Sequence, residues 1–200
     1  MSLQNIAAAA ARPVAKAQKG FTVVEFMAVL FLTILAGILA WPRITGLYVE
    51  IRVPFVADDL KAYVARTKSV TQGYGIAPYA GLTQLAFARA VKDTNLKVGD
   101  VSGEGTTSEK VRHGLGGADN GTINFTESGS FFTLTLTNVS QYACPTFLSS
   151  VEMFASSVSV NGVVIKKMDD SGNLTTAYSA AKASAQCKDG DTNEYILTVN

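Results

Sequence analysis

The sequence predicts an α+β protein in which a long N-terminal α-helix packs on an antiparallel β-sheet, with additional short helices and a C-terminal disulfide. Three observations predict it. An apolar run covers residues 21–41 and continues as an amphipathic segment to about residue 72. Alternating strand patterns and two hairpin turn signals follow residue 121. The only two cysteines, Cys144 and Cys187, lie in that later part.

The apolar run at residues 21–41 is long enough to cross a membrane. At about 1.5 Å per residue, its 21 residues span roughly the 30 Å of a bilayer's hydrocarbon core. The preceding residues carry Arg12, Lys16 and Lys19 and no acid. The positive-inside bias therefore keeps the N-terminus cytoplasmic and places the residues after the run outside.

Glu25 is the only charged residue within this run. A charge at the centre of a membrane helix costs about 2.5–3.5 kcal/mol on insertion scales, and less near one end. Glu25 therefore calls for a functional explanation. One alternative is a plain signal anchor with a chance acid. Another is a secretory signal cut after Ala40, although bulky Ile38 occupies a position where a small residue is preferred.

Apolar residues at 54–71 recur at three- and four-residue intervals, so they extend the membrane helix as an amphipathic one. Glycines and a proline at 73–78 predict where it ends. The first helix is thus predicted over about 21–72. Pro42 lacks a backbone N–H and would bend or loosen this helix.

The remainder alternates short helices and strands. Helical spacing predicts helices over 82–91, 144–154 and 177–186. One hairpin is predicted from strands at 122–125 and 131–137. A second is predicted from strands at 158–160 and 163–165, which flank the turn Asn161-Gly162. A last strand is predicted over 194–199. The polar, glycine-rich residues 97–121 are interpreted as an exposed loop, with His113 as an exposed loop residue.

Composition and motifs argue against several functions. The chain has 17 basic and 16 acidic residues, and without the first twenty residues the side-chain charge is about −2, so nucleic-acid binding is not expected. A single histidine and no hydrolase or nucleotide motif argue against an enzyme. Asp189, Asp191 and Asn193 have calcium-loop spacing, but Glu194 stands where that loop needs glycine. No cofactor or metal is predicted.

The two cysteines are interpreted as a disulfide, because an even pair in an exported domain meets an oxidising compartment. Closing a 44-residue loop between Cys144 and Cys187 could stabilise the fold by ~4 kcal/mol. The alternative is a catalytic or metal-binding thiol, which would require a nearby histidine or further cysteines. The sequence has one histidine and no C-x-x-C pair.

Residues 19–25, Lys-Gly-Phe-Thr-Val-Val-Glu, resemble the processing site of type IV prepilins. The resemblance implies a cut by prepilin peptidase between Gly20 and Phe21, N-methylation of Phe21, a role for Glu25 in subunit assembly, and a helix kink at Pro42. A carboxylate about 4 Å from a neighbouring subunit's N-terminal ammonium gains roughly 4 kcal/mol at an effective dielectric of 20. This attraction supplies a physical reason for the acid.

Residues 132–137 leading into Ala143-Cys144, and residues 177–193, resemble the C-terminal half of type IVb pilins, especially the bundle-forming, bundlin-like ones. Gly116-Gly117 also fits a loop position of that branch, whereas Phe21 as first mature residue is usual in type IVa. The resemblance implies that the segment between the cysteines is exposed on the filament and shapes subunit contacts, bundling and adhesion.

The resemblance further implies a leader peptide at 1–20, a hydrophobic transmembrane and assembly helix at 21–52, and a periplasmic globular head at 53–200. Its partners would be prepilin peptidase, the pilus assembly machinery and other copies in a helical filament outside the cell, serving adhesion, bundling or conjugation. The alternatives are a minor pilin, a type II secretion pseudopilin, or a signal-anchored periplasmic enzyme or binding domain. Head size and cysteines favour a pilin.

Overall fold

The computed structural model describes residues 22–71, 73, 75–99, 110–116, 121–169 and 171–200. Gly20, Phe21, Gln72 and Gly117 lie outside the described residues, as does the side chain of Pro42. The chain divides into two compact units, residues 1–41 and 42–200.

The first helix, α1, runs from Val23 to Thr71, close to the predicted range. Its residues up to Trp41 have no buried side chain. In the second unit one face of α1 is buried, at intervals of three and four residues: Val49, Val53, Val56, Ala57, Leu60, Tyr63, Val64, Thr67 and Thr71. The amphipathic segment thus begins about one turn earlier than predicted. Gly73 follows with φ 104°, a left-handed conformation that ends helices.

The described part of the chain has three short helices besides α1: α2 (Gln84–Val91), α3 (Cys144–Val151) and α4 (Ala180–Ala185). Each was predicted, with bounds that extended further. Thr83 explains the start of α2, because its Oγ1 accepts a hydrogen bond from the Ala86 backbone N at 3.2 Å. Ser179 caps α4 in the same way through Lys182 N at 3.4 Å.

Within the described residues, eight antiparallel strands form one sheet in the order β1-β2-β3-β4-β8-β5-β6-β7. They are β1 (Lys97–Val98), β2 (Val111–Arg112), β3 (Thr122–Glu127), β4 (Phe132–Val139), β5 (Ser157–Val160), β6 (Val163–Met168), β7 (Leu174–Thr176) and β8 (Asn193–Val199). This confirms the predicted α+β class and both hairpins. Asn161 and Gly162 have φ of 50° and 83°, as a two-residue hairpin turn requires.

The final strand, β8, lies in the middle of the sheet. Leu197 stands opposite Leu134 of β4 on one side and Val158 of β5 on the other. These buried side chains belong to the same hydrophobic core as the buried face of α1. Aromatic rings join the layers: the centroid of Tyr63 on α1 lies 4.8 Å from that of Phe87 on α2 and 6.3 Å from that of Phe125 on β3.

The prediction of an exposed loop at 97–121 was wrong for its described residues. Val98 pairs with Val111, and Val111 pairs in turn with Ile123, which adds β1 and β2 to the sheet edge. Val111, His113 and Leu115 are fully buried. Their period of two is the strand signal, and the surrounding glycines and polar residues obscured it.

Candidate functional site

Glu25 lies at the start of α1 and forms a reciprocal cap with Thr22. Its Oε2 accepts hydrogen bonds from the Thr22 backbone N at 3.1 Å and from Thr22 Oγ1 at 3.2 Å. The Glu25 backbone N donates to Thr22 Oγ1 at 3.3 Å. Thr22-Val-Val-Glu25 is therefore a capping box, which explains why the helix starts at Val23.

The capping box was missed from the sequence, although the T-x-x-E pattern was its signal. Both hydrogen bonds reach the same oxygen, so in the described part of the chain Oε1 accepts none. The carboxylate also sits at the positive end of the helix dipole. The cap thus orients Glu25 toward the helix start, with one carboxylate oxygen that accepts no hydrogen bond from the described residues.

An exposed apolar surface follows Glu25. The segment from Val23 to Trp41 belongs to the one described helix that is long and apolar enough to cross a membrane. In the second unit, one face of α1 also stays apolar and exposed for about three turns, through Ile44, Leu47, Tyr48, Ile51 and Phe55. Extended apolar surface of this kind marks a contact with lipid or protein. The kink at Pro42 stays a prediction.

The predicted disulfide is present between Cys144 and Cys187, whose Cα atoms are 6.1 Å apart. Cys144 is the first residue of α3, and Cys187 follows α4. The bond therefore ties the two short helices together, and neither cysteine is free to act as a nucleophile or metal ligand.

Asn193 organises the segment after the disulfide. It is fully buried, and its Nδ2 donates to the carbonyl oxygens of Val139 at 3.1 Å and Lys188 at 2.9 Å. Its Oδ1 accepts from Lys188 N at 2.7 Å and Asn161 Nδ2 at 2.9 Å. The oxygen that the calcium-loop spacing would have offered is thus occupied by protein donors. Among the described residues, no group of three or more acidic, histidine or cysteine side chains is placed to hold a metal.

His113 was predicted to be exposed, and this was wrong. The Leu115 backbone N donates to its Nδ1 at 2.9 Å, so the proton lies on Nε2, which donates to Thr137 O at 2.9 Å. Burial lowers the pKa of His113 to about 4, with Arg52 as a further cause. A Cβ at Gly121 would lie 2.2 Å from the imidazole ring, so this glycine makes room for it. The ring is a neutral part of the core.

Lys166 is a buried cation that no sequence pattern indicated. A β-bulge sets both Ile165 and Lys166 of β6 against Val158 of β5, so both side chains turn inward. The Lys166 ammonium donates to the backbone oxygen of Glu152 and lies 3.4 Å from Glu152 Oε2. It thereby anchors the turn that follows α3, at the negative end of that helix.

A long apolar N-terminal helix, an antiparallel sheet and a C-terminal disulfide together define a type IV pilin α+β fold. The family model described as PilS N terminal matches residues 56–200. The chain therefore belongs to this pilin-related family, and it is a type IV pilin-like, pilus-related protein. The family is structural rather than enzymatic. No curated protein matches the chain.

Proposed function

We propose that this protein is a structural subunit of a type IV pilus, processed by prepilin peptidase between Gly20 and Phe21 and methylated at Phe21. Its segments are a leader at 1–20, a transmembrane and assembly helix at 21–52, and a periplasmic head at 53–200. The subunit waits in the inner membrane until the assembly machinery stacks it with other copies into an extracellular filament.

The observation that carries this proposal is the geometry at Glu25. Cleavage before Phe21 would create an ammonium one residue ahead of Thr22, at the end of the helix where the Glu25 carboxylate is held by its Oε2. No described residue donates to Oε1, so this oxygen could accept from a second donor. A neighbouring subunit's ammonium about 4 Å away would contribute roughly 4 kcal/mol at an effective dielectric of 20. Without this pairing, burying either charge in the filament would be unfavourable.

Two further features support it. The exposed apolar surface of the N-terminal helix is compatible with membrane anchoring, and a filament would cover it. The disulfide suits a head that matures in an oxidising compartment. The exposed surface between Cys144 and Cys187 would then contribute to subunit contacts, bundling or adhesion.

Substitutions at Glu25 and Thr22 can separate the charge from the helix cap. Glu25→Gln keeps an amide oxygen for Thr22 but removes the charge, so we expect incorporation into sheared filaments to fall at least about ten-fold, as for Glu25→Ala. Thr22→Ala weakens the cap by about 1 kcal/mol and keeps the charge, so filaments should persist. Immunoblots of sheared filaments measure incorporation.

The fold of the head is the control. Circular dichroism should show the same fold in Glu25→Gln, Glu25→Ala and Thr22→Ala as in the unmodified protein. If Glu25→Gln entered filaments as well as the unmodified protein, the carboxylate charge would have no role in assembly. The proposal for Glu25 would then be wrong.

A further inference from the structure

The second unit carries a groove on the face of the sheet that points away from the core, with a volume of about 670 Å³. Three polar side chains line it from neighbouring strands: Thr198 of β8, Ser157 of β5 and Lys167 of β6. Ser157 pairs with Thr198 on one side and with Lys167 on the other, so the three form a row across the sheet. Phe131, which precedes β4, adds a partly exposed aromatic ring. The groove thus has the size and the mixed lining of a small-ligand site.

Two serines of the groove have defined hydrogen-bonding roles. Ser156 Oγ accepts from the Asn200 backbone N at 3.2 Å, which leaves its own hydrogen to donate. Ser157 Oγ donates to the Lys166 carbonyl oxygen at 3.2 Å, which leaves its lone pairs to accept. The groove therefore offers a donor and an acceptor on adjacent residues. A ligand hydroxyl can use both at once, whereas an amide N–H only donates and a carbonyl only accepts.

Threonine hydroxyls elsewhere on this face of the sheet are bonded within the protein. Thr122 Oγ1 lies 2.9 Å from Thr137 Oγ1, and Thr133 Oγ1 donates to the Thr126 carbonyl oxygen at 3.4 Å. Thr198 Oγ1, in the groove, has no such partner in the part of the chain that the structure describes. The groove is therefore the place on this face where a hydroxyl is left for a ligand.

Lys167 gives the groove a positive charge. Its ammonium is not ion-paired with any described acid, whereas Glu152 pairs with the neighbouring Lys166 at 3.4 Å. The next acid along the chain, Asp169, accepts hydrogen bonds from backbone N–H groups of its own turn. A carboxylate on the ligand would be complementary to the unpaired ammonium, and a charge-assisted hydrogen bond between them would be stronger than a neutral one.

We propose that this groove binds an acidic saccharide built of hexuronate rings. Its carboxylate pairs with Lys167, and its ring hydroxyls bond Ser156, Ser157 and Thr198. The apolar C–H face of a sugar ring packs on the ring of Phe131. The site lies within one head and needs no neighbouring copy, so the inference goes beyond the proposed filament function and does not depend on it.

Titration calorimetry of the full chain in detergent tests the site with two probes, trigalacturonate and a hyaluronan tetrasaccharide, whose rings differ in stereochemistry. We expect saturable binding of at least one of them. Lys167→Gln and Thr198→Val should each weaken that binding at least about five-fold, because each removes one hydrogen-bonding group from the groove. The methyl ester of the bound saccharide, which keeps the rings and loses the charge, should bind at least about five-fold more weakly to the unmodified protein and equally to Lys167→Gln.

Thr135→Val is the matched control, since Thr135 of β4 lies on the same face of the sheet but outside the groove, and its binding should be unchanged. Thr198→Ser keeps the hydroxyl and should retain binding, and thermal unfolding checks that every variant folds. Absence of saturable binding of both saccharides, or an equal loss in Thr135→Val and Thr198→Val, would overturn the proposal. Equal binding of the methyl ester would overturn the acidic ligand. Incorporation into filaments tests the proposed function separately.

Discussion

At the scale of single residues, His113 gives the head a dependence on pH. Its pKa is lowered from 6.5 to about 4 by burial, so the folded protein holds the ring neutral while the unfolded chain binds a proton below pH 6.5. The unfolded state then binds more protons between pH 4 and 6.5, and the free energy of unfolding falls as pH drops through this window.

We expect the His113 contribution to fall by about 3 kcal/mol between pH 7 and pH 4. Urea unfolding at the two pH values measures it. His113→Gln should be less stable at pH 7 but lose less stability on acidification, because glutamine does not titrate. The carboxylates change the free energy of unfolding equally in both proteins. Subtracting the loss in His113→Gln from the loss in the unmodified protein therefore leaves the contribution of His113. An equal loss in both would contradict the assignment of His113 as the titrating group.

Some side-chain contacts could be predicted from a local sequence motif, and others could not. Thr22 and Glu25 form a local T-x-x-E motif, so the cap could have been predicted. Asn193 and Lys166 could not, because the Asn193 partners come from β4 and the hairpin turn, and Lys166 points inward only because of a bulge in β6. Long-range partners and bulges leave no trace in a period of two or 3.6 residues.

At the scale of elements, α1 combines two parts whose exposure differs. Residues 22–41 have exposed side chains all round, most of them apolar, whereas Val53, Val56 and Leu60 are fully buried in the second unit. We predict that a chain beginning at Val49 folds as a soluble monomer, because it keeps the buried face and loses most of the exposed apolar surface. The chain from Phe21 should require detergent.

Size-exclusion chromatography and circular dichroism of the two chains, with and without detergent, check this prediction. A chain from Val49 that aggregates, or that lacks the native sheet signal, would contradict the division of α1 into an exposed apolar part and a part that packs on the sheet.

The elements that the sequence predicted are those with strong local signals. The first helix followed from an unbroken apolar run and a helical period, and the second hairpin from Asn161-Gly162. The strands β1 and β2 were missed because each has only two residues, too few to establish an alternation. The strand β2 joins the sheet by pairing with Ile123 and Thr122 of β3, and β1 joins it by pairing with β2.

At the scale of the whole molecule, the disulfide and the Asn193 network hold the same segment independently. We predict that Cys144→Ala with Cys187→Ala lowers the free energy of unfolding by ~4 kcal/mol, through the loop entropy of the unfolded chain. The fold should remain, since Asn193 still bonds Lys188 and Val139. Denaturant unfolding of the oxidised protein and the variant measures this, and equal stability would contradict it.

The type IV pilin-like fold, the apolar helix and the disulfide make assembly into a pilus the central claim, and the mature N-terminus tests it most directly. Mass spectrometry of the protein in sheared filaments should find a chain that begins with N-methylated Phe21. A mature chain that retains Met1, or that begins at Trp41, would contradict the account.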